Sequence, residues 1–536
     1  MNDQIDGLID EWMAAELTES PERATTLGID GHDEQLSDLS SAGFARRAVA
    51  DDRWADRFSA FDPADLTDDQ QIDRDLVLSL LRGRSVMRDW QVWRRDPATY
   101  LSPAMNGVFQ LFLYRSLPDA ELARCAAARL REIPRLMDEA RANLDASLAS
   151  PVFISRSEGQ ARAAITYVRE LVPAELSDPA LRAPVTAAGE VAAIAIEAFL
   201  EHLGGLAASA QGSYAIGAER YSGLLEQKEL LGYGVEALRD KGRLAYEELD
   251  AEMTSRAGGD WRAELERLNA DHPASPEAML QEYTEVTEKA RQFLRNTGLV
   301  TLPEGEECRV VPSPPFQRPI LAVASYGMPQ PFKPGRVGHF FVPWPPDGVS
   351  AEEVQQRLAT NSHASIPTIA VHEVYPGHHW HLSWMKDNPR PARKAVTTPY
   401  FSEGWALYAE RVMWEHGFFG SASEELAHLD ARIFRAARIV VDTSLHVGDM
   451  DFEEAVSFMM RQTSLSEPTA RAEVGRYCSW PTQAASYLTG AIEIERIRGR
   501  WLSGGKGTVA QFNDAIAGSG ALPIALAERA VMGADA

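Results

Sequence analysis

Cysteine is scarce in this chain and never closely spaced. Only Cys125, Cys308 and Cys478 occur in 536 residues, they are widely scattered, and no C-x-x-C spacing is present. Small disulfide scaffolds and cysteine-ligated metal sites depend on dense, regularly spaced cysteines. The sequence therefore predicts no disulfide framework and indicates a reducing compartment.

Positive charge is also in deficit. The chain carries 53 Lys and Arg against 78 Asp and Glu, a formal charge of −25. Nucleic-acid binding needs clustered basic side chains for phosphate contacts, and anionic membrane surfaces attract the same groups. The charge balance therefore argues against nucleic acid and against a membrane as partners, and it leaves small substrates open.

Long hydrophobic runs and targeting signals are not recognisable either. The first residues, Met1–Asp6, lack a basic segment followed by an apolar one, so the sequence predicts no signal peptide. No run approaches the roughly 18 apolar residues that a membrane span needs. These features predict a cytoplasmic protein.

What the sequence does contain is helical patterning. Apolar residues make up 45% of the chain and charged residues 24%, which is ordinary for a soluble globular protein. Ser20 and Pro21 mark a helix start, and apolar positions recur at helical spacing afterwards. Helices are predicted at 119–148, 184–206, 224–253 and 276–294, and the Ala-, Val- and Leu-rich segment 184–206 is predicted to be buried.

The pattern changes between residues 301 and 346. This window holds 11 of the 31 prolines and three short β-like runs, at 308–311, 320–324 and 337–342. A small sheet is therefore predicted here, either as an edge for an extended peptide or as a structural connector. The predicted organisation is a helical scaffold lobe over 1–300, the inserted sheet over 301–346 and a helical catalytic lobe over 347–536, together one continuous fold unit.

The most informative stretch reads His-Glu-Val-Tyr-Pro-Gly-His-His-Trp-His over residues 372–381. It contains four of the 12 histidines of the chain. Zinc hydrolases commonly place His-Glu on a helix, where the histidine binds the metal and the glutamate acts as general base. His372 and Glu373 are therefore the first predicted site residues, as metal ligand and general base.

The spacing after His372 departs from the usual H-E-x-x-H. The position four residues on is Pro376, whose missing N–H and bulky ring disturb the turn, and Gly377 follows. A turn widened by two residues would bring His378 to the place of the second ligand. His379 is the competing choice for this ligand, and His381 is predicted to lie in the cleft or beside the ligands.

A third ligand must come from elsewhere, since a catalytic zinc takes three protein ligands and keeps one position open. The segment Ser-Glu-Gly-Trp-Ala-Leu-Tyr-Ala-Glu begins at Ser402, the predicted N-cap of a new helix. Glu403 is the predicted ligand, and Glu410 is predicted to orient a ligand imidazole. The alternative is that both glutamates are solvated charges on a helix surface.

Residues further along offer groups that would bind the substrate or the transition state. Tyr487 is the candidate donor to the oxyanion that forms during acyl transfer, with Tyr477 as the weaker alternative; a buried structural tyrosine remains the other possibility. Arg435 and Arg438 would suit a substrate carboxylate, but a structural salt bridge is favoured for them.

Three motifs together carry a family resemblance. They are H-E-V-Y-P-G-H-H at 372–379, S-E-G-W-A-L-Y-A-E at 402–410 and P-T-Q-A-A-S-Y-L-T-G at 481–490. The chain resembles, almost end to end, a bacterial family of domains of unknown function related to the gluzincin zinc metallopeptidases. The resemblance implies a mainly helical, two-lobed, zincin-like protein with a small sheet beside a deep cleft.

The resemblance also implies a zinc site on the His-Glu helix, with Glu403 placed like the glutamate of an N-E-G-F-A segment. Two features depart from the family pattern. Members often have Gln where this chain has His381, which leaves the lining of the site open. Many members also carry secretion signals that are not found here, which favours an intracellular substrate.

These observations predict a zinc-dependent hydrolase of amide bonds, most simply a peptidase acting on short peptides. Zinc held by His372, His378 and Glu403 would activate water, Glu373 would carry its proton to the leaving amine, and Tyr487 would stabilise the oxyanion.

Other functions stay open from the sequence. Residues 327–330 lack the glutamate of a G-x-M-E-N motif, which disfavours an aminopeptidase and leaves exopeptidase and oligopeptidase undecided. Hydrolysis of a non-peptide amide or acyl substrate is an alternative, and a non-catalytic helical binding protein is a further one.

Overall fold

The computed structural model describes residues 2–315, 318, 323–346 and 348–533. Over these residues the protein is mainly helical with one small sheet, as predicted. It forms two compact units: residues 1–66, 80–216 and 330–334 make the first, and residues 67–79, 217–329 and 335–536 make the second. The predicted lobes 1–300 and 347–536 have other bounds than these units.

The first unit is built from helices alone. Its helices are α1 (Asn2–Glu19), α2 (Pro21–Leu27), α3 (Ser41–Ser59), the later part of α4 (Asp68–Arg88), α5 (Ala98–Tyr114), α6 (Asp119–Asn143), α7 (Pro151–Thr166), α8 (Val172–Ala174) and α9 (Pro179–Ala207). Helices α6 and α7 both pack along α9. The predicted helix start at Ser20 is confirmed, since Ser20 precedes Pro21 as the N-cap residue of α2.

Helix α6 confirms the pattern prediction most directly. The apolar positions predicted for its buried face (Leu122, Cys125, Ala126, Leu130, Ile133 and Leu136) are all buried. They recur every three or four residues, so they share one side of the helix and leave water together. Helix α6 packs against both α5 and α9, which together remove these residues from water.

Helix α9 is buried along one face only, which corrects the prediction of a fully buried helix. Val185, Ala192 and Phe199 are buried, whereas Val191 is 49% and Ile194 is 56% exposed. The helix is also long and apolar enough to cross a membrane by length and composition, with 39% of its most apolar window buried. The prediction that no such run exists is therefore wrong, although core helices of soluble proteins meet the same criterion.

The second unit contains the remaining helices and the sheet. Its helices are α10 (Ala218–Gly223), α11 (Val235–Ala257), α12 (Trp261–Asn269), α13 (Pro276–Thr297), α14 (Ala351–Ala359), α15 (Ile366–Glu373), α16 (His378–Met385), α17 (Pro391–Ala395), α18 (Pro399–Glu415), α19 (Ala422–Val447), α20 (Phe452–Gln462), α21 (Glu467–Ser479), α22 (Ser486–Ser503), α23 (Val509–Gly518) and α24 (Ile524–Met532). The first part of α4, through Ser79, also belongs to this unit.

Two predicted helix boundaries need correction. The helix predicted over 224–253 is interrupted, because a π-helical turn at Leu224–Lys228 ends before Gly232, which has a φ of 76°, and α11 begins only at Val235. Glycine tolerates this left-handed conformation, which a helix cannot continue through. The helix that carries Glu403 begins at Pro399, and its N-cap is Thr398, whose side chain accepts from the Tyr400 N–H at 3.2 Å, instead of Ser402.

The sheet has three strands, β1 (Glu306–Pro312), β2 (Ser325–Gly327) and β3 (Arg336–Val342), in the order β1-β3-β2. β3 pairs in parallel with β1 and antiparallel with β2. The runs predicted at 308–311 and 337–342 are confirmed as strands. Most of the run predicted at 320–324 lies outside the described residues, and β2 begins just after it.

Helices α18 and α22 cross at two glycines. A Cβ on Gly490 would lie 1.8 Å from the Tyr400 carbonyl oxygen, and one on Gly404 would lie 2.6 Å from the Gly490 Cα. Because neither residue has a side chain, the two backbones approach closely. This crossing fixes α18, which carries Glu403 and Glu410, against α22, which carries Tyr487.

Candidate metal centre

The predicted widened turn separates two short helices. Helix α15 ends at Glu373 and α16 begins at His378. The Gly377 N–H donates to the Val371 carbonyl at 3.0 Å, and the Trp380 N–H donates to the Val374 carbonyl at 3.1 Å, each six residues back instead of four. The turn is thus widened, but the helix ends and restarts where a bulge in one continuous helix was expected, because Pro376 cannot continue the hydrogen-bond ladder.

Gly377 permits this turn because its backbone runs against the end of α15. A Cβ at Gly377 would lie 1.9 Å from the His372 carbonyl oxygen and 2.4 Å from that of Val371. From the other side, Trp405 Nε1 on α18 donates to the Pro376 carbonyl at 2.8 Å. The turn is thereby tied to the helix that carries Glu403.

His372, His378 and Glu403 meet in one place. One ligand atom from each lies within 4.8 Å of the others. Glu403 Oε2 is 3.6 Å from His372 Nε2 and 3.4 Å from His378 Nε2. Ligands at ~2.1 Å from a tetrahedral zinc are separated by about 3.4 Å. Two imidazoles and a carboxylate at these separations form a set that fits zinc.

Glu410 orients the first of these imidazoles. Its Oε1 accepts from His372 Nδ1 at 2.7 Å, while its Oε2 accepts from the Thr368 hydroxyl at 2.8 Å and lies 3.3 Å from His428 Nδ1. With Nδ1 occupied, His372 presents Nε2 to Glu403 and His378. Burial alone would lower the pKa of His372, but the neighbouring carboxylates of Glu403 and Glu410 raise it to about 9.

Two partners of Glu410 escaped the sequence reasoning. Thr368 lies four residues before His372 on α15, so helical spacing would have placed both on one face. His428 lies on α19, and no local pattern connects it to Glu410. Burial of the Glu410 carboxylate would raise its pKa, and the hydrogen bonds from His372 and His428 reverse this and lower it.

His379 faces away from the cluster. Its Nε2 lies 2.9 Å from Glu306 Oε2, and its Nδ1 lies 2.7 Å from the Tyr326 hydroxyl. Glu306 also accepts from the Tyr375 hydroxyl and pairs with Arg291 at 2.7 Å. Both ring nitrogens of His379 are thus engaged with the sheet, so His378 is the histidine that the fold brings to His372 and Glu403.

His381 lies in the core, three residues after His378 on α16. It is fully buried, with its ring centre 5.2 Å from that of Phe401 and 5.9 Å from that of Trp405. Neither ring nitrogen has a hydrogen-bond partner among the described residues. Burial lowers the pKa of His381 to about 3.

Glu373 is the last residue of α15 and is half-buried beside the cluster. Its carboxylate has no hydrogen bond or ion pair with the part of the chain that is described. Burial raises its pKa, and the charges of His378 and His372 oppose this shift. A carboxylate with free oxygens and a raised pKa is suited to accept and release a proton.

The two predicted tyrosines have different surroundings. Tyr477 is fully buried; its hydroxyl donates to Glu473 at 2.7 Å and accepts from Arg438 Nε at 3.0 Å. The Tyr487 hydroxyl accepts a longer bond of 3.3 Å from Gln483 Nε2, its one hydrogen bond within the described part of the chain. Burial, and next the charge of Glu403, raise the pKa of Tyr487. Tyr487 therefore has a hydroxyl with one weak partner near Glu403, while Tyr477 belongs to a buried network with Glu473 and Arg438.

The predicted salt bridge exists at Arg438 and is lacking at Arg435. Arg438 pairs with Glu473 at 2.6 Å and is buried. The Arg435 guanidinium donates to the Ala431 carbonyl of its own helix at 3.0 Å and has no acidic partner among the described residues.

Comparison with known proteins now adds the family. Residues 21–531 match the model of a family described as bacterial protein of unknown function, DUF885. The chain belongs to this family. That description assigns no activity, so the relation to zinc metallopeptidases remains a matter for proposal. No curated protein matches the chain.

Two solved structures share the fold, and both are named as a "putative lipoprotein". The one from Shewanella oneidensis, of unknown function, has 20% identity and a TM-score of 0.79, covering 97% of this chain and 98% of its own. The one from Colwellia psychrerythraea has 19% identity and a TM-score of 0.84, covering 99% of this chain and 98% of its own.

The names of these neighbours correct one prediction. Lipoproteins are anchored to a membrane or exported, and both structural neighbours carry that name. The prediction of a cytoplasmic location is therefore wrong and is withdrawn. The sequence features behind that prediction are only indirectly related to location. Scarce cysteine is related to redox conditions, and the pattern of the first residues is related to a signal peptide.

Proposed function

We propose that this protein is a zinc-dependent hydrolase that cleaves amide bonds, most simply those of short peptides. The observation that carries the proposal is the meeting of His372, His378 and Glu403, with all three ligand atoms within 4.8 Å, directly beside Glu373. A structural zinc site normally fills all four positions with protein ligands. Three ligands next to a carboxylate with free oxygens favour a catalytic site instead.

When bound, zinc would polarise the scissile carbonyl and lower the pKa of water toward about 7. Glu373 would accept the proton of the attacking water and deliver it to the leaving amine, which needs oxygens free of other partners. Glu410 would hold the His372 ring so that Nε2 stays available. The Tyr487 hydroxyl would donate to the oxygen on which negative charge develops.

The architecture is part of the same proposal. A two-lobed, zincin-like arrangement with a deep cleft beside the sheet would admit short peptides and exclude folded proteins. Two contacts of the chain would keep such a site rigid. The Pro376 carbonyl in the turn accepts a hydrogen bond from Trp405, and α18 packs closely against α22 at Gly404 and Gly490. Groups held by packed helices keep the precise positions that catalysis requires.

The test is a substitution that keeps the metal ligands and removes the base. In zinc-loaded Glu373→Gln we expect about one zinc per chain, as in wild type, and a loss of turnover on a mixed short-peptide library of roughly 10²–10⁴-fold. Glu307→Gln is the matched control, because Glu307 is exposed on β1 and its ion-pair partner in the described part of the chain is Arg309.

Retained turnover in zinc-loaded Glu373→Gln would reject this mechanism. Activity of wild type on one small amide and on no peptide would redirect the proposal to a non-peptide amide hydrolase. A wild-type protein that takes up no zinc would favour a helical binding protein.

A further inference from the structure

Helix α19 carries three arginines, spaced three residues apart, and only the middle one lacks an acid. Arg432 pairs with Glu495 at 3.0 Å, and Arg438 pairs with Glu473 at 2.6 Å. Arg435 has no carboxylate within ion-pair distance among the described residues. The spacing places all three arginines toward one side of the helix. Their different partners are therefore determined by the neighbouring elements and not by the helix itself.

The Arg435 side chain is held in place without an ion pair to the described residues. One terminal nitrogen donates to the Ala431 carbonyl at 3.0 Å, while Nε is buried without a hydrogen-bond partner in the described chain. The guanidinium lies 5.4 Å from the ring centre of Phe434 and 5.8 Å from that of Tyr487. Because Nε itself is buried, a ligand would meet the terminal nitrogens of the guanidinium, of which one has no hydrogen bond within the described chain.

Arg435 also borders the metal centre. Helix α19 packs against α15, which carries His372 and Glu373. The guanidinium lies against the ring of Tyr487, and the charge of Arg435 acts on both Glu373 and Glu410. The cation is therefore close enough to the cluster to contact a molecule that is held there.

We propose that Arg435 binds a carboxylate of the substrate, so that the substrates are peptides or amides with a free carboxylate near the scissile bond. This inference rests on the proposed hydrolase function and narrows its substrate class. A planar guanidinium can donate two parallel hydrogen bonds to one carboxylate. The ring of Tyr487 lies beside the guanidinium and helps to position it. The carboxylate is either the C-terminus of a peptide or an Asp or Glu side chain.

The experiment measures binding to metal-free protein by calorimetry, so that hydrolysis does not interfere. One probe pair is N-acetyl-trialanine and its C-terminal amide. The other pair is N-acetyl-Ala-Glu-Ala-amide and its Gln counterpart. In wild type we expect the carboxylate member of at least one pair to bind about 10-fold or more tightly, the usual effect of a hydrogen bond to a charged group.

Three variants locate the effect. Arg435→Gln should reduce the preference for the carboxylate peptide over its amide to about 1-fold. Arg435→Lys should keep a part of this preference, because the positive charge remains while the two parallel N–H donors of the guanidinium are lost. Arg432→Gln, one turn earlier on α19, removes an ion pair of the same helix and should keep the wild-type preference. Circular dichroism checks that each variant is folded, and the Lys variant serves if the Gln variant does not fold.

Each outcome decides the inference. If Arg435→Gln loses the preference for N-acetyl-trialanine over its amide, Arg435 binds the C-terminal carboxylate of a peptide. If it loses the preference for the Glu peptide over its Gln counterpart, Arg435 binds an acidic side chain. Equal binding within both pairs, an unchanged preference in Arg435→Gln, or no binding of either carboxylate peptide overturns the inference. Hydrolysis by the zinc-loaded enzyme without carboxylate preference rejects this inference alone, whereas carboxylate-selective binding without hydrolysis rejects the hydrolase proposal alone.

Discussion

At the scale of single residues, identical side chains acquire different roles from their partners. Glu410 has a side chain that is 1% exposed and is surrounded by hydrogen-bond donors, whereas the Glu403 side chain is 22% exposed and lies beside two imidazole Nε2 atoms. Glu373 is left without a bonding partner in the described chain. A carboxylate with donors on both oxygens positions its neighbours, and one with free oxygens is available for a metal or a proton.

The two adjacent histidines give a prediction at this scale. His378→Ala should lose zinc, because it removes an Nε2 that lies 3.4 Å from Glu403. His379→Ala should keep about one zinc per chain, because its ring bonds to Glu306 and Tyr326 instead. Metal analysis of the two variants after zinc loading and removal of excess metal makes the comparison.

Thermal unfolding provides the control for this pair. His379→Ala should lower the unfolding free energy by about 1–3 kcal/mol, because the buried Glu306 loses a hydrogen-bond donor. A folded His379→Ala protein that has lost zinc would contradict the assignment of His378.

At the scale of helices, the site depends on how closely α18 and α22 approach. Glu403 and Glu410 lie on α18 and Tyr487 lies on α22, so the spacing of the two backbones sets the distance between the carboxylates and the phenol. The spacing is short because Gly490 has no side chain between the helices and the Tyr400 carbonyl. Larger residues at a tight crossing force the backbones apart.

Gly490→Ala is therefore expected to destabilise the protein. Its Cβ would lie 1.8 Å from the Tyr400 carbonyl oxygen, a backbone atom that cannot rotate away. We expect a loss of about 1–3 kcal/mol in the free energy of unfolding, with weaker zinc binding, measured by chemical denaturation and metal titration.

Gly499→Ala is the matched control on the same helix, because its Cβ would meet nothing within 4 Å. Alanine there should stabilise α22 by roughly 0.5–1 kcal/mol. Equal effects of the two substitutions would show that the crossing is not tight.

At the scale of the whole molecule, buried acids link stability to pH. Burial raises the pKa of Asp96 and of Asp430 to about 6 and that of Asp442 to about 7, from an ordinary value of 3.8. Between pH ~4 and ~7 the folded protein holds protons on these groups that the unfolded chain has released. Their contribution to stability therefore falls as the pH rises through this window and is constant above it.

Asp442 offers the clearest test. It accepts from the Tyr221 hydroxyl at 2.5 Å and from the Thr482 N–H at 3.0 Å, and burial is the first cause of its raised pKa. Asparagine keeps an acceptor and cannot ionise. Asp442→Asn should lose stability less steeply than wild type between pH 5 and 7, where one proton contributes up to about 1.4 kcal/mol per pH unit.

The measurement is denaturant unfolding of both proteins at pH 5, 6, 7 and 8. Asp240→Asn is the control, since Asp240 has a side chain that is 74% exposed and its substitution should leave the slope unchanged. Parallel pH profiles for Asp442→Asn and wild type would show that Asp442 does not hold the proton.

The sequence by itself determined the local features. The periodicity of α6, the start of α13 at Pro276, and the strands at both ends of the proline-rich window were predictable because each depends on neighbouring residues. The residues of the metal cluster were also within reach, since His372, Glu373 and His378 lie in one motif and Glu403 in the next.

Only the tertiary structure decided which partners these residues have. Glu306 reaches His379 across 73 residues, His428 reaches Glu410 from another helix, and Arg435, unlike Arg432 and Arg438, has no acid opposite it among the described residues. The spacing of residues along the sequence predicts which of them share a helix face. Whether a side chain on that face finds a hydrogen-bond or ion-pair partner depends on the element that packs against it. For that reason the sequence could name the candidate ligands, and the packing of the helices decided that His378, and not His379, lies beside His372 and Glu403.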